Sequence, residues 1–240
     1  MNKLKDFFIN DHNILQISKG HHYFDIYDRH FLKYQNTNPQ ILEIGTAEGG
    51  GSELLNHYFD SKCNIVTIDI NSPTNHDIYQ FKNIMFVKGD QKDIEFLKQL
   101  KSTYQKFDII IDDGGHGMDQ QITSFNELYE CLTEKGTYLI EDVHTSYWKN
   151  YNGGVNKPNT CIEFFKKMID RLNTWHWQEP FSQNDLNFCK NTNSIHFYDS
   201  IIVIEKESTK NKPLCEGKQK HGQNKRIWDD NSSWVNNLCK

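Results

Sequence analysis

Acids and histidines follow two apolar runs in the middle of the chain, and their types suit metal binding and proton transfer. The two runs are residues 107–111 and 137–140. The polar residues behind them are Asp112, Asp113 and His116 after the first run, and Glu141, Asp142 and His144 after the second. Carboxylates in this number repel one another unless a cation binds them, and oxygen ligands suit magnesium or calcium better than zinc. An imidazole beside them can take up or release a proton near neutral pH.

Both runs are typical of strands buried on both faces, as in parallel sheets covered by helices. Ligands of such open sheets bind at the carboxyl ends of the strands. We therefore expect these acids and histidines to meet at one edge of the sheet. Simpler roles stay open for three of them. Asp112 could only cap the following helix, His116 could only hydrogen-bond an acid, and His144 is a second acid/base, a substrate contact or a structural group.

The order of the apolar runs predicts the fold class. Strands are predicted at residues 40–45, 64–69, 84–88, 107–112, 137–140, 194–198 and 200–205. Helical patterns begin near residue 52 and cover residues 93–100 and 119–132, and this alternation is typical of a parallel doubly wound sheet. The last two runs are joined at Asp199, too tightly for a crossover helix, so they predict an antiparallel hairpin. The expected fold is α/β: a Rossmann-like, doubly wound, seven-stranded sheet with a reversed last strand.

The chain divides into three predicted parts. Residues 1–38 form an N-terminal helical segment that packs on the core, residues 39–205 form the main domain, and residues 206–240 form a polar tail. We expect much of the tail to be mobile, with Trp228 and Trp234 as its tethers.

One cluster in the N-terminal segment has helical spacing. Tyr23, Ile26, Tyr27 and His30 recur at this spacing, which predicts an amphipathic helix packed on the domain. In a second interpretation, His21 or Tyr23 also reaches the ligand pocket.

Length and composition exclude several classes of protein. A chain of 240 residues suffices for one substantial α/β domain. A net charge of −5 gives no reason to expect nucleic acid or an anionic membrane as a partner. No apolar run approaches the roughly 20 residues of a transmembrane helix, and the six cysteines form no C-x-x-C pair, which fits reduced thiols. We expect a soluble, cytoplasmic enzyme.

The turn after the first predicted strand suits a nucleotide cofactor. Glycine there allows a ligand to approach the backbone, and the helix behind it presents free N–H groups. The dinucleotide pattern G-x-G-x-x-G is met only marginally, by Gly45, Ala47 and Gly50. Enzymes that use S-adenosylmethionine instead need an acid two residues before the first glycine, and Glu43 stands there. A capping or lysine-paired role for Glu43 is the simpler alternative.

Further candidate cofactor contacts follow the next strands. Asp69 ends the second strand and suits the ribose hydroxyls, while Asp90 and Gln91 follow the third strand, where an adenine contact is expected. Asp112 completes the predicted set of cofactor-binding residues.

The motifs together resemble a known family. Residues 20–205 are similar to class I S-adenosylmethionine-dependent O-methyltransferases, and more narrowly to the metal-dependent sugar O-methyltransferases of macrolide and rhamnosylated antibiotics. The motifs that carry the resemblance are Asp112-Asp-Gly-Gly-His116, Ile140-Glu-Asp-Val-His-Thr145, the upstream His-His-Tyr stretch and the terminal Phe-Tyr-Asp-Ser-Ile-Ile-Val-Ile-Glu. The resemblance implies that Asp113, Glu141 and Asp142 bind a divalent metal, with magnesium expected, and that His116 is the general base.

Two departures from the family limit what the resemblance implies for this chain. Gly115 stands where the family has serine, and the family's N-terminal oligomerisation domain has no counterpart here, so a homo-oligomer is one of the open alternatives. The expected reaction is methylation of a sugar hydroxyl, with a nucleotide-linked hexose or heptose of a bacterial surface polysaccharide as the favoured acceptor. The alternatives are a phosphate-ester or catechol-like acceptor, a nicotinamide-dependent dehydrogenase, and a binding protein without turnover.

Overall fold

A computed structural model of the chain describes residues 3–11, 14–207 and 210–212, and the backbone of residues 216–218 and 224–226. Its centre is a seven-stranded sheet. The strands are β1 (Gln40–Ile44), β2 (Asn64–Asp69), β3 (Ile84–Lys88), β4 (Phe107–Asp112), β5 (Leu132–Ile140), β6 (Thr192–Phe197) and β7 (Ile202–Lys206). They lie in the order β3-β2-β1-β4-β5-β7-β6.

The pairing confirms the predicted topology. β1 to β5 all run parallel to one another, and β7 runs antiparallel to both of its neighbours, β5 and β6. β7 lies inside the sheet and β6 lies at its edge, because β7 is the more apolar of the two. Residues 201–204 are fully buried, whereas most of β6 is only partly buried. The reversal between them is closed by a hydrogen bond from the Tyr198 N–H to the Ile201 carbonyl (2.8 Å).

Seven α-helices cover the sheet within the described residues. They are α1 (Lys3–Asn10), α2 (Tyr23–Phe31), α3 (Gly50–Tyr58), α4 (Ile94–Tyr104), α5 (Met118–Leu128), α6 (Cys161–Leu172) and α7 (Gln183–Asn191). Successive strand residues point to opposite faces. Helices α4 to α7 therefore pack on the face that carries Leu42, Ile110 and Tyr138. Helices α1 to α3 pack on the face that carries Ile41 and Ile109.

Helix α2 confirms the helical prediction for the N-terminal cluster. Tyr23, Ile26, Tyr27 and His30 all lie on it and are all buried. The side chain of His30 packs at the sheet rather than in the pocket, where its ring nitrogens contact Glu205 (2.6 Å) and the Tyr198 hydroxyl (2.9 Å). Helix α2 thus attaches the N-terminal segment to the sheet beside β7.

Several element boundaries differ from the sequence prediction. Helix α5 ends at Leu128 and continues as a 3-10 turn over Tyr129–Cys131, so that β5 begins early, at Leu132. In the tail, β8 (Glu216–Lys218) and β9 (Asn224–Arg226) pair as a small antiparallel sheet. The predicted tethers Trp228 and Trp234 lie outside the described residues. Four cysteines within the described part of the chain are free thiols. Among the described residues, no helix has the length and apolar composition of a membrane span.

Candidate active site

The turn between β1 and α3 touches the acidic end of β4. Gly45 has a left-handed backbone (φ 98°), and a Cβ added there would lie 2.0 Å from the carbonyl oxygen of Asp113. Only glycine allows this approach. The Asp113 N–H in turn donates to the Ile44 carbonyl (2.8 Å). The glycine turn and the predicted metal-binding acid are therefore direct neighbours.

Glu43 lies under the glycine turn and lines the cavity above it. Its carboxylate accepts hydrogen bonds from the hydroxyls of Ser52 and Thr67, the latter at 3.1 Å. Burial raises the pKa of Glu43 to about 7, although the Ser52 hydroxyl and the Lys19 ammonium both lower it. Glu43 is therefore an acid held near its titration point by the protein, beside the space that a cationic ligand would occupy.

The other predicted cofactor contacts line the same edge of the sheet. Asp69 borders two adjoining cavities, and Asp90 and Gln91 border one of them together with Gly45. Asp69 accepts the N–H groups of Ala47 (3.0 Å) and Asn71 (2.8 Å). These bonds fix the turn at Ala47, which has a left-handed backbone (φ 45°). The result is a groove along β1 to β3 in which carboxylates lie at fixed positions.

The side chain of Asp112, a predicted cofactor contact, is fully buried and lines neither cavity. Nor does it cap α5, whose N-cap is Gly117. Instead, Oδ1 accepts a hydrogen bond from the Gln91 amide (3.0 Å), which fixes the wall of the groove. Burial raises the pKa of Asp112 to about 6, and the Gln91 bond lowers it.

Asp113, His116 and Asp142 converge at the ends of β4 and β5. One ligand atom from each lies within 4.8 Å of the others. His116 Nε2 is 3.5 Å from Asp142 Oδ2, and His116 Nδ1 is buried without a hydrogen-bond partner among the described residues. His116 and Asp142 both have left-handed backbones (φ 53° and 54°), a conformation that is uncommon for residues other than glycine and clusters at functional sites.

Glu141 lies next to this trio and is bonded by a lysine and a tyrosine. The ammonium of Lys19 lies 2.7 and 2.8 Å from the two oxygens of Glu141 and also contacts Asp113 Oδ2. The Tyr27 hydroxyl donates to Glu141 Oε1. Burial raises the pKa of Glu141 despite the Lys19 ammonium. Burial alone would lower the pKa of Lys19, but Asp113 and Glu141 raise it above its ordinary value.

Residues of α2 and of the 143–151 turns complete the site. The Tyr23 hydroxyl donates to Asp142 Oδ1 (2.5 Å), so Tyr23 contacts a residue that lines the pocket but does not line the pocket itself. His21 does not line it either, because its ring packs on Phe8 and Phe24. His144 Nδ1 lies 3.9 Å from Asp142 Oδ1. Asp142 is therefore flanked by two histidines and a phenol.

The donor set fits a divalent metal. Asp113 and Glu141 face the same point, because one ammonium contacts both of them. Asp113 and Asp142 face a second common point next to His116. Carboxylate oxygens dominate the set, which suits magnesium. If His116 took the place of Glu141 as a metal ligand, the site would favour an ion softer than magnesium. The identity of the bound ion therefore distinguishes His116 as a metal ligand from His116 as a base.

Gly115, the departure from the family motif, has a local explanation. A Cβ at this position would lie 2.3 Å from the amide nitrogen of Gln120. The Gln120 side chain accepts the Gly117 N–H (2.9 Å) at the start of α5. The space that a serine side chain would use is thus filled by Gln120.

Relatives of known activity match this chain over most of its length. It is 32% identical over 190 residues to the mycinamicin VI 2''-O-methyltransferase of Micromonospora griseorubida, which covers 75% of the chain and 47% of the relative. It is 27% identical over 195 residues to the 8-demethyl-8-alpha-L-rhamnosyl tetracenomycin-C 2'-O-methyltransferase of Streptomyces olivaceus, which covers 78% of the chain and 51% of the relative. These sugar O-methyltransferases are its homologues. No protein-family model matches the chain.

A solved structure of one homologue has the same fold. The MycE methyltransferase from the mycinamycin biosynthetic pathway, in complex with Mg, SAH and mycinamycin VI, is 28% identical. It superposes with a TM-score of 0.73 over 86% of this chain and 53% of that chain. The resemblance inferred from the sequence motifs and the methyltransferase Rossmann-like fold are thereby confirmed. The chain spans about half the length of the curated relatives it matches.

The sequence prediction missed Lys19 and Tyr27. Lys19 lies in a polar stretch without a periodic pattern, and nothing local shows which acids it contacts. Tyr27 was assigned to the buried face of a helix, which is correct, but the partner of its hydroxyl lies 114 residues away. A buried tyrosine hydroxyl needs a hydrogen-bond partner, and this requirement is the one signal in the sequence that indicates a polar contact for Tyr27.

Proposed function

We propose that this chain transfers the methyl group of S-adenosylmethionine to a sugar hydroxyl, with magnesium as the expected metal. The proposal depends on a single cavity lined both by the glycine turn, at Glu43 and Gly45, and by the acidic edge, at Asp113, His116 and Asp142. A methyl donor on the turn and a hydroxyl at the acids would therefore lie side by side, and alignment of two reactants can supply roughly 7–11 kcal/mol of a barrier. The names of the homologues and the Mg and SAH bound to MycE support it.

The acids at the ends of β4 and β5 have a defined part in this proposal. Asp113, Glu141 and Asp142 would hold the metal, which when bound lowers the pKa of a hydroxyl and orients it. The Tyr23 hydroxyl orients Asp142 and the Tyr27 hydroxyl orients Glu141. Burial and the hydrogen bond to Asp142 raise the pKa of Tyr23, so its phenol stays a donor.

We assign removal of the hydroxyl proton to His116. The new bond joins the sugar oxygen to the methyl carbon while the bond from sulfur to that carbon breaks, leaving S-adenosylhomocysteine and a methyl ether. The hydroxyl proton passes to His116 Nε2, the ring nitrogen that faces Asp142. The Asp142 carboxylate stabilises the resulting cation. His144, on the other side of Asp142, is the second candidate for this proton.

Exposed aromatic side chains beside the acids suit a sugar acceptor. Trp148 is 48% exposed, and its ring lies 4.6 Å from that of His144, centre to centre. Tyr147 next to it is 46% exposed. We propose that this aromatic surface packs against the acceptor. One homologue is named for a rhamnosyl tetracenomycin acceptor. A nucleotide-linked hexose or heptose is the finer proposal from the sequence.

A screen with a labelled methyl donor tests the reaction. The purified chain is incubated with methyl-labelled S-adenosylmethionine, with magnesium or with a chelator, and with three groups of acceptors: glycosylated macrolides, sugar nucleotides and catechols. We expect a labelled methyl ether of a sugar only when magnesium is present. Equal labelling with the chelator would refute the role of the metal. Cofactor binding without product from any group would favour a binding protein.

A further inference from the structure

Lys19 lies where a metal ion would be expected. Its ammonium contacts oxygens of both Asp113 and Glu141, and its side chain is only 4% exposed. The two acids come from different strands, and Lys19 comes from a segment about a hundred residues earlier in the chain. Burial of a lysine ammonium costs free energy unless nearby carboxylates compensate for its lost hydration. The contacts therefore make Lys19 the counter-ion of the acidic edge.

We infer that Lys19 is an internal cation that occupies the metal position between Asp113 and Glu141 until a divalent ion displaces it. The inference deepens the proposed function, because it rests on the metal that this function requires. The same carboxylate oxygens cannot hold an ammonium at hydrogen-bond distance and a metal at about 2.0–2.1 Å at the same time. A metal that binds between Asp113 and Glu141 must therefore release the Lys19 ammonium.

Release of Lys19 would also act on the cavity wall. Residues 16–19 line the cavity that Glu43 and Gly45 line from the other side. This segment is fixed at one end by a hydrogen bond from the Leu15 N–H to Glu53 Oε2 (2.6 Å) and at the other end by Lys19. The metal thus competes with a contact that holds the wall of the cofactor cavity in place.

Magnesium titration of variants gives the first test. Calorimetry with magnesium alone compares the wild-type chain with Lys19→Met and with Lys33→Met, a matched control whose ammonium pairs with Glu205 away from the site. Removing a positive charge from a few ångströms' distance should tighten magnesium binding by about tenfold or more. Lys33→Met should bind like the wild type. Lys19→Arg, which keeps the charge, should bind no more tightly than the wild type.

Amine labelling of the wild-type chain gives a second test that needs no variant. Lys19 should react slowly with an acylating reagent in the absence of metal and faster at saturating magnesium, as read by peptide mass spectrometry. Lys33, 37% exposed in its side chain, is the internal control and should react equally in both.

The outcomes separate the inference from the proposed function. Magnesium that binds the wild type and Lys19→Met equally, or that leaves Lys19 labelling unchanged, overturns the inference and spares the function. Magnesium that binds neither chain overturns both. If the Lys19→Met chain does not fold, the labelling of Lys19 in the wild-type chain decides whether the inference holds.

Discussion

On the cofactor side of the cavity, Asp69 and Asp90 accept hydrogen bonds from backbone N–H groups of the loops at that edge, those of Ala47, Asn71 and Lys92. On the acidic side, Glu141 and Asp142 are bonded by side chains more than a hundred residues away. One side is built by its own loops. The other side depends on how the N-terminal segment docks on the sheet.

This difference agrees with what each side would bind in the proposed function. Backbone N–H groups hold a carboxylate with no need for distant residues, and they suit a groove that presents fixed polar groups to a nucleotide. Acids at a metal site must be close together before the metal arrives, and their mutual repulsion needs a compensating charge. Lys19 supplies this charge, and the hydroxyls of Tyr23 and Tyr27 fix the remaining oxygens.

The sharpest test of the difference is Asp113→Asn. We expect turnover to fall by at least about a thousandfold, because a metal supplies several kcal/mol of transition-state stabilisation and each 1.4 kcal/mol is about tenfold. Binding of S-adenosylhomocysteine should survive, since the carboxylates of Glu43, Asp69 and Asp90 are unchanged. Initial rates with the labelled donor measure turnover, and calorimetry with S-adenosylhomocysteine measures binding. Asp119→Asn, which loses an exposed ion pair with Lys92, is the matched control.

The two histidines beside Asp142 offer the next test. His116→Ala should lower turnover by roughly 10²–10⁴-fold, the range typical of a general base. His144→Ala should lower turnover less, because His144 lies farther from Asp142 and packs on Trp148. Turnover against pH at saturating substrates measures both. A normal rate for His116→Ala with a large loss for His144→Ala would reverse the assignment.

The same contrast explains which features the sequence predicts. Strands β2, β3 and β4 match their predicted bounds, because apolar runs and turn residues are local signals. The groove at Asp69 and Asp90 was equally predictable, since Asp69 ends β2 and Asp90 lies two residues after β3. Lys19 was not, because its partners depend on the docking of a segment that shows no periodic pattern.

Asp112 shows a second limit of prediction from sequence, because a local pattern does not tell which of two adjacent acids faces a ligand. Like Asp113, it ends an apolar run, and the pattern alone makes both candidate ligands. Alternation along β4 turns the Asp112 side chain into the interior and leaves the Asp113 side chain at the edge. The register of the last strand residue therefore decides which acid can meet a ligand, and the motif does not specify that register.

The tyrosines of α2 show how much the distant contacts contribute. Tyr23→Phe removes the donor to Asp142 and Tyr27→Phe removes the donor to Glu141, with little change of shape. Partners of metal ligands typically contribute about 10–100-fold in metal affinity or activity. We expect a loss at the lower end of that range in magnesium affinity, measured by calorimetry. Tyr58→Phe, whose hydroxyl bonds Asp28 outside the site, should leave this affinity unchanged.

The smallest expected effect concerns Glu43 and the stability of the cofactor side. Burial raises the pKa of Glu43 from 4.5 to about 7, so the folded chain binds this proton more tightly than the unfolded chain does. Folding stability should therefore fall as pH rises through this window. Glu43→Gln should remove that fall and gain on the order of 1 kcal/mol over wild type between pH about 6 and about 8.

Urea unfolding of wild type and variant across this pH range measures the effect. Glu48→Gln is the contrasting control. Hydrogen bonds from Asn75 and Thr74 lower the pKa of this exposed acid, so its carboxylate favours folding as pH rises, and its loss should not gain stability at high pH. Parallel curves for Glu43→Gln and wild type would mean that Glu43 is already ionised or solvated. The two sides of the cavity would then differ only in their distant contacts.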